Sequence, residues 1–476
     1  MNGQAVRHSR PAKRASAGHL FLPLATRAGQ ILRLLLAAML LALLLAANLA
    51  HAEPPFVLGV ATHLTRQPRP IDQSLDALAA AGVMSLRDDA DWGRVEQQRG
   101  VRKIPAQWDE VIDGAVARGI EPLLILDYGN NFYDGGGKPT SAEGIAAFVR
   151  YAQFLAQHYK GRVKRYEVWN EWDHGPGNAS PASADAYLRL VKAVHAAVKQ
   201  IDPEAEIIAG AITPVGIREG FLTRLVEQGV LDHADAISLH PYIHCDRARS
   251  PEDWARWMKQ VGDDLQRRAG RPVRVYLTEM AWPAHQGACG ISAQAQAENL
   301  VKMFLLAKTM PFIKGIWWYD LQNDGPDPKN REHNFGLLDH EMRPKPAYLA
   351  LQQFSGLIRE GEYVDSLADG PALRALHLRK NGQDTLALWS ADRAACPKAR
   401  LTAKNKIQAH IDQPQGSRRG ITWKEIRGET GQVLYQTELP LSSMPYLLTT
   451  PGGSQKSRIS KIHCTRDGSS SWKKQS

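Results

Sequence analysis

Between Phe56 and Phe354 one pattern recurs eight times: a short apolar run, a polar or aromatic stretch, then an amphipathic segment with apolar positions three and four apart. The runs are FVLGVATHL (56–64), GVMSLRDD (82–89), EPLLILDY (121–128), VKRYEVWN (163–170), EIIAGAIT (206–213), AISLHPY (236–242), VRVYLTE (273–279) and KGIWWYDL (314–321). Strands of this length separated by helices belong in a parallel sheet. Eight strand–helix units in roughly 300 residues suit a closed (β/α)8 TIM barrel. The predicted class is therefore α/β, with the barrel over 53–355.

After KPAYLALQQF (345–354) the texture changes to alternating apolar and polar positions, punctuated by turns such as Asn381-Gly382. This predicts a smaller all-β, sandwich-like domain over 356–450. The Ser-, Lys- and Gly-rich tail, 451–476, is expected to be disordered.

In a barrel of this kind chemistry gathers at the carboxyl ends of the strands. Here those ends carry His63, Arg87, Asp88, Tyr128, Asn170, Glu171, His240, Tyr242, Glu279, Trp318 and Asp320. Any one of them fits an ordinary loop; eleven together do not. Strands four and seven lie on opposing parts of the ring, so Glu171 and Glu279 are able to face one another across its mouth.

Two opposed carboxyl groups are what glycoside cleavage requires. One protonates the departing oxygen, and the other meets the positive charge growing at the anomeric carbon. Chemistry alone leaves the division of labour open. Arg87 and Tyr242 are candidates to hold the ionised partner, Asn170 to bind a sugar hydroxyl, and His240 and His63 to serve as further hydrogen-bonding groups. Trp172, Trp282, Trp317 and Trp318 offer flat faces for a sugar ring. Strand alternation sends only one of Trp317 and Trp318 inward, and Trp318 is expected there. Asp88 and Asp91 are candidates for the sugar pocket or for solvated loop acids. Glu167, inside the strand-four run, reads as structural or as a support behind the site residues, Trp254 and Trp257 as helix packing. The glycine run 135–137 suggests a mobile loop beside an open cleft. No metal or organic cofactor is implied.

At these residues the chain resembles the clan A glycoside hydrolases. The likeness is carried by Asn170-Glu171, Thr278-Glu279, His240-Pro241-Tyr242, and Trp317-Trp318-Tyr319 followed by HNFGLLDHEMRPKPAY (333–348). Within the clan it is most similar to family 39 and, inside that family, to exopolysaccharide hydrolases of the Psl type. The resemblance implies that Glu171 is the acid/base and Glu279 the nucleophile of a retaining enzyme. Its substrate would be an exported or cell-surface polysaccharide. One departure is Trp172, where many clan members carry proline. A carbohydrate-binding protein on a retired scaffold and a transglycosylase stay open as alternatives.

The chain begins with six basic residues and no acid up to Arg33, then an apolar run from Leu34 to Ala47 and Ala50-His51-Ala52. That order predicts a secretory signal peptide over 1–52, with an uncleaved inner-membrane anchor as the alternative. The formal charge of +10 resides in the two ends, so it gives no argument for nucleic-acid binding. The expected setting is periplasmic or extracellular, the expected state a monomer. Export permits disulfides. Cys245 and Cys289 fall in successive loops on one face of the barrel and are expected to pair.

Overall fold

The structure, a computed structural model, describes residues 55–174, 183–370, 372–403, 410–412, 418–420, 422, 424–427, 432–449 and 459–465, together with Met39. The expected signal segment, Met39 apart, lies outside the described residues.

Eight parallel strands close a barrel in chain order: β1 (Val57–Ala61), β2 (Ser85–Asp91), β3 (Glu121–Asp127), β4 (Arg165–Val168), β5 (Glu206–Ile212), β6 (Ala236–Leu239), β7 (Val275–Met280) and β8 (Ile313–Trp318). Each falls on a predicted run. Helices such as Ala142–His158 and Ala184–Ile201 lie between the strands. Their apolar stripes are buried with outward strand residues such as Leu58, Leu86, Leu124 and Leu126. Ser141, Ser183, Ser250 and Ser292 cap helix starts by accepting a backbone N–H, a contact worth about 1 kcal/mol each. Among the described residues no helix is long and apolar enough to cross a membrane.

The inner face follows the period of two. Val57, Leu123, Ile125, Ile208, Ala236, Tyr276 and Trp317 form one buried cluster inside the ring. Trp317 dictates what stands opposite. Its ladder partner is Gly59, where a Cβ would lie 2.4 Å from the indole Cδ1. Its Nε1 donates to Ser85 Oγ at 3.1 Å. The barrel is thus plugged below its mouth.

The last barrel helix, Pro346–Glu360, runs past the expected boundary at 355 into the β domain. That domain has two antiparallel sheets. The six-stranded one has the order β14 (Arg418–Gly420), β13 (His410–Asp412), β17 (Tyr446–Thr449), β11 (Gln383–Ser390), β10 (Leu373–Lys380), β9 (Glu362–Asp369). The four-stranded one runs β15 (Lys424–Arg427), β16 (Val433–Pro440), β12 (Lys398–Ala403), β18 (Ile459–Thr465). Alternation along β10 and β11 serves two cores. Leu376, Leu378, Ala387 and Trp389 join the barrel's apolar cluster, while Leu373, Ala375, Leu386 and Leu388 face the sandwich. Trp389 Nε1 also donates to Glu252 Oε1 at 2.7 Å, a buried link to the barrel.

The tail requires a correction. Residues 459–465, expected to be disordered, form β18 along β12, and Cys464 is bonded to Cys396. Composition favours disorder there, but Ile459 and Ile462 bury apolar side chains and the covalent link ties the strand to the sheet. Cys245 and Cys289 are joined as well.

Candidate active site

Three alternate positions of β2 point inward: Ser85 toward the plug, then Arg87 and Asp89 toward the mouth. Arg87 is 2 % exposed and spends its whole guanidinium on the site. Nε donates to Glu167 Oε2 at 2.7 Å, Nη1 to Glu279 Oε1 at 2.7 Å and Nη2 to Asn170 Oδ1 at 2.9 Å. One planar fork therefore ties the ends of β2, β4 and β7 together. Glu167 is structural, in keeping with its place inside the strand. It balances Arg87 from below and accepts from Thr278 Oγ1 at 2.7 Å.

Glu171 and Glu279 reach the cavity through local departures from ideal geometry. Trp169 and Glu171 both have positive φ, 68° and 49°, a region that residues with a Cβ rarely occupy. Positive φ at such a place marks a site where the fold enforces a direction. On β7 the register against β8 shifts between Leu277 and Met280. Consecutive residues Thr278 and Glu279 both contact groups of the site.

His240 stands between the two carboxyl groups. Its Nδ1 is 2.9 Å from Glu171 Oε1 and 3.6 Å from Glu279 Oε2. One oxygen of each glutamate and one nitrogen of His240 all lie within 4.8 Å of one another. The hydroxyl hydrogen of Thr278 goes to Glu167, so His240 Nε2 donates to Thr278 Oγ1, 3.1 Å away. His240 Nδ1 is thus left to share a proton with Glu171. Burial opposes charge on the imidazole, but the carboxylates of Glu279 and Glu171 outweigh it and raise its pKa.

Burial likewise pushes the Glu279 carboxyl up. The charges of His240 and Arg87, with hydrogen bonds from Arg87 and Tyr242, overcome that and hold it below its ordinary value. Tyr242 Oη donates to Glu279 Oε2 at 3.1 Å. Glu279 is therefore kept ionised, while Glu171 Oε1 stands 2.9 Å from His240 Nδ1. Asn170 Nδ2 donates to Tyr128 Oη at 2.9 Å, which fixes the amide orientation.

The cavity above these residues measures about 710 Å³. His63, Arg87, Asn170, Glu171, Tyr242 and Glu279 line it, with buried His240 just behind. Five expected site residues are elsewhere: Trp318, Trp282, Trp172, Asp88 and Asp91 do not line the cavity. Trp318 points outward into the helix layer, Nε1 donating to Phe335 O at 3.3 Å. Trp317 has the inward phase, and Tyr319, two residues on, is the strand-eight aromatic that lines the cavity. Trp282 is 1 % exposed and donates to Arg249 O at 2.9 Å; it braces the loop after β6. Trp172 is buried likewise. Asp88 faces outward and accepts from Thr62, Thr65 and the Leu64 N–H, and Asp91 caps the helix Trp92–Val95.

The aromatic lining consists instead of Tyr128, Tyr242, Tyr319 and Phe335, with the imidazoles of His63 and His244. Period-two counting from Trp317 finds Tyr319, whereas Phe335 and His244 stand on loops with no such signal. The loop with the glycine run is tied to its surroundings at several points. Asp134 Oδ2 accepts the Thr140 N–H at 3.0 Å, and Asn130 Nδ2 donates to Glu96 O at 2.9 Å. Gly129 passes so near that a Cβ would lie 2.0 Å from Gly136 O.

Fold and site together define a (β/α)8 barrel with an appended β domain and an opposed carboxylate pair at the ends of β4 and β7. No protein-family model and no curated protein matches the chain. Solved structures do. A family 39 glycoside hydrolase from Bacteroides cellulosilyticus WH2 superposes with a TM-score of 0.68 at 23 % identity, covering 83 % of this chain and 81 % of that one. The GH39 enzyme from Xanthomonas axonopodis pv. citri gives 0.57 at 15 % identity, covering 85 % and 96 %. A monomeric beta-xylosidase from Caulobacter crescentus CB15 gives 0.57 at 14 % identity, covering 85 % and 98 %. The chain has the fold of these glycoside hydrolases, barrel and β domain together.

Proposed function

We propose that this protein is a retaining β-glycoside hydrolase acting on an exported or cell-surface polysaccharide. The observation that carries the reading is the spacing of Glu171 and Glu279, whose oxygens come within 4.8 Å of each other beside one cavity. Retaining enzymes hold their carboxyl groups about 5–5.5 Å apart, inverting ones roughly 6.5–9.5 Å, to admit a water.

In this mechanism Glu171 gives its proton to the leaving oxygen while Glu279 Oε2 attacks the anomeric carbon from the opposite face. The C–O bond to the leaving group breaks as the glycosyl ester to Glu279 forms. Glu171, now ionised, takes a proton from an entering water, whose oxygen attacks the same carbon and releases Glu279. His240 stabilises the ionised phase of Glu171 and Arg87 the free carboxylate of Glu279. Tyr242 and Asn170 hold the groups between steps.

Export is supported by the basic and apolar N-terminal sequence and by the pairing of all four cysteines, since disulfides persist in oxidising compartments. Among the similar structures are an exo-beta-1,4-mannosidase and a GH5_18 protein in complex with Manb1-4GlcNAc, which makes β-linked mannosides and xylosides the first substrates to try. The test is a panel of aryl β-glycosides and bacterial exopolysaccharides, with wild type set against Glu279→Gln. Turnover by wild type alone supports hydrolysis. Ligand binding without turnover by either protein makes this a sugar-binding scaffold.

A further inference from the structure

The ends of β1 and β8 bring together a second group of side chains that the two-glutamate chemistry leaves unused. His63 Nε2 lies 3.7 Å from Asp320 Oδ2 and 4.0 Å from Asp324 Oδ2. One atom from each of the three lies within 4.8 Å of the others. Asp320 is 1 % exposed, and neither of its carboxylate oxygens has a hydrogen-bond partner. A carboxylate buried without donors is costly unless a cation meets it. Asp324 is held in place from one side: Oδ1 accepts from Arg69 Nη2 at 2.6 Å and Gln67 Nε2 at 3.1 Å, and Oδ2 faces His63. The other ring nitrogen of His63, Nδ1, lies 3.8 Å from Asp89 Oδ2. A carboxylate behind the far nitrogen is the usual outer partner of a metal-binding imidazole.

We propose that His63, Asp320 and Asp324 form a divalent transition-metal site, for Zn²⁺ or Mn²⁺, in the wall of the cavity. Ligand atoms bonded to one ion at about 2.0–2.2 Å stand roughly 3–4.4 Å apart, so small side-chain adjustments close the site. The imidazole selects these ions over Ca²⁺ and Mg²⁺, which prefer all-oxygen sets. Three protein ligands leave coordination positions open, and His63 itself lines the cavity. The site stands independently of the glycosidase reading.

The test is calorimetric titration of EDTA-treated, dialysed full-length protein with ZnCl₂ and MnCl₂, with Mn²⁺ EPR alongside. Saturable one-to-one binding is expected. Asp320→Asn, and His63→Gln should the first variant fail to fold, weaken it by about 10–100-fold or more. Glu279→Gln retains it, although Glu171, His240 and Glu279 also cluster within 4.8 Å. No saturable binding by wild type overturns the proposal. So does binding lost in Glu279→Gln but kept in Asp320→Asn or His63→Gln, which assigns the ion to the catalytic pair.

Discussion

Arg87 Nη1 donates to Glu279 Oε1 across 2.7 Å from a side chain that solvent hardly reaches. With His240 it keeps Glu279 ionised against the cost of burial, and that sets the acid limb of activity. In the proposed mechanism only the carboxylate attacks, so kcat/KM should fall as pH drops through the depressed pKa of Glu279 in the free enzyme. Replacing His240 with Gln removes a positive neighbour, and the acid limb should move to higher pH. A pH–rate profile of both proteins checks the sign; an unmoved limb, or one moved lower, contradicts it.

Glu171 is expected to matter in proportion to how poor the leaving group is. Glu171→Ala should lose about 10²–10⁴-fold on an unactivated glycoside and far less on a dinitrophenyl one. Azide should accelerate the variant by taking the place of activated water. Steady-state rates on the two substrates decide; equal losses on both remove Glu171 from the acid/base role.

The aromatic residues at and after the ends of β7 and β8 divide into packed ones and one that lines the cavity. Trp318→Leu and Trp282→Leu should lower stability by a few kcal/mol, since large buried side chains are being cut back, with little change in KM. Tyr319→Leu should raise KM. Gly59→Ala should destabilise the barrel by about 1–3 kcal/mol through overpacking against Trp317. Denaturant melts paired with kinetics separate the two sets of effects.

The β domain is tied to the barrel by a buried donor, Trp389 Nε1, on Glu252. Glu252→Ala leaves that donor unsatisfied and should cost about 1–3 kcal/mol with kcat unchanged. Cys464→Ser should release β18 from Cys396, which earlier proteolytic cleavage within 459–465 would report. A nick-resistant variant of wild-type stability would show that the link adds nothing.

Much of this architecture is legible in the order of residues alone. Strand positions follow from short apolar runs. Glu171 and Glu279 follow from the rule that strand ends carry the chemistry, and Cys245–Cys289 from two loops sharing a face. What stays hidden depends on partners across space. Alternation says that Trp317 and Trp318 point opposite ways, yet the phase is fixed by Gly59 on a neighbouring strand, which leaves room for one indole. β18 lies in a stretch whose composition reads as disordered, and only its apolar positions and Cys464 betray the strand. His63 and Asp320 come from opposite ends of the barrel sequence, so no spacing motif joins them. Ring closure does.

The central claim is that Glu279 forms a covalent bond to a sugar while Glu171 serves the leaving group. Mass spectrometry of peptides after incubation with activated 2-deoxy-2-fluoro β-glycosides tests it most directly, because the fluorine slows breakdown of the ester. The adduct should map to Glu279 in the peptide spanning 275–283 and be absent from Glu279→Gln. An adduct on Glu171 or on any other carboxylate would contradict the account.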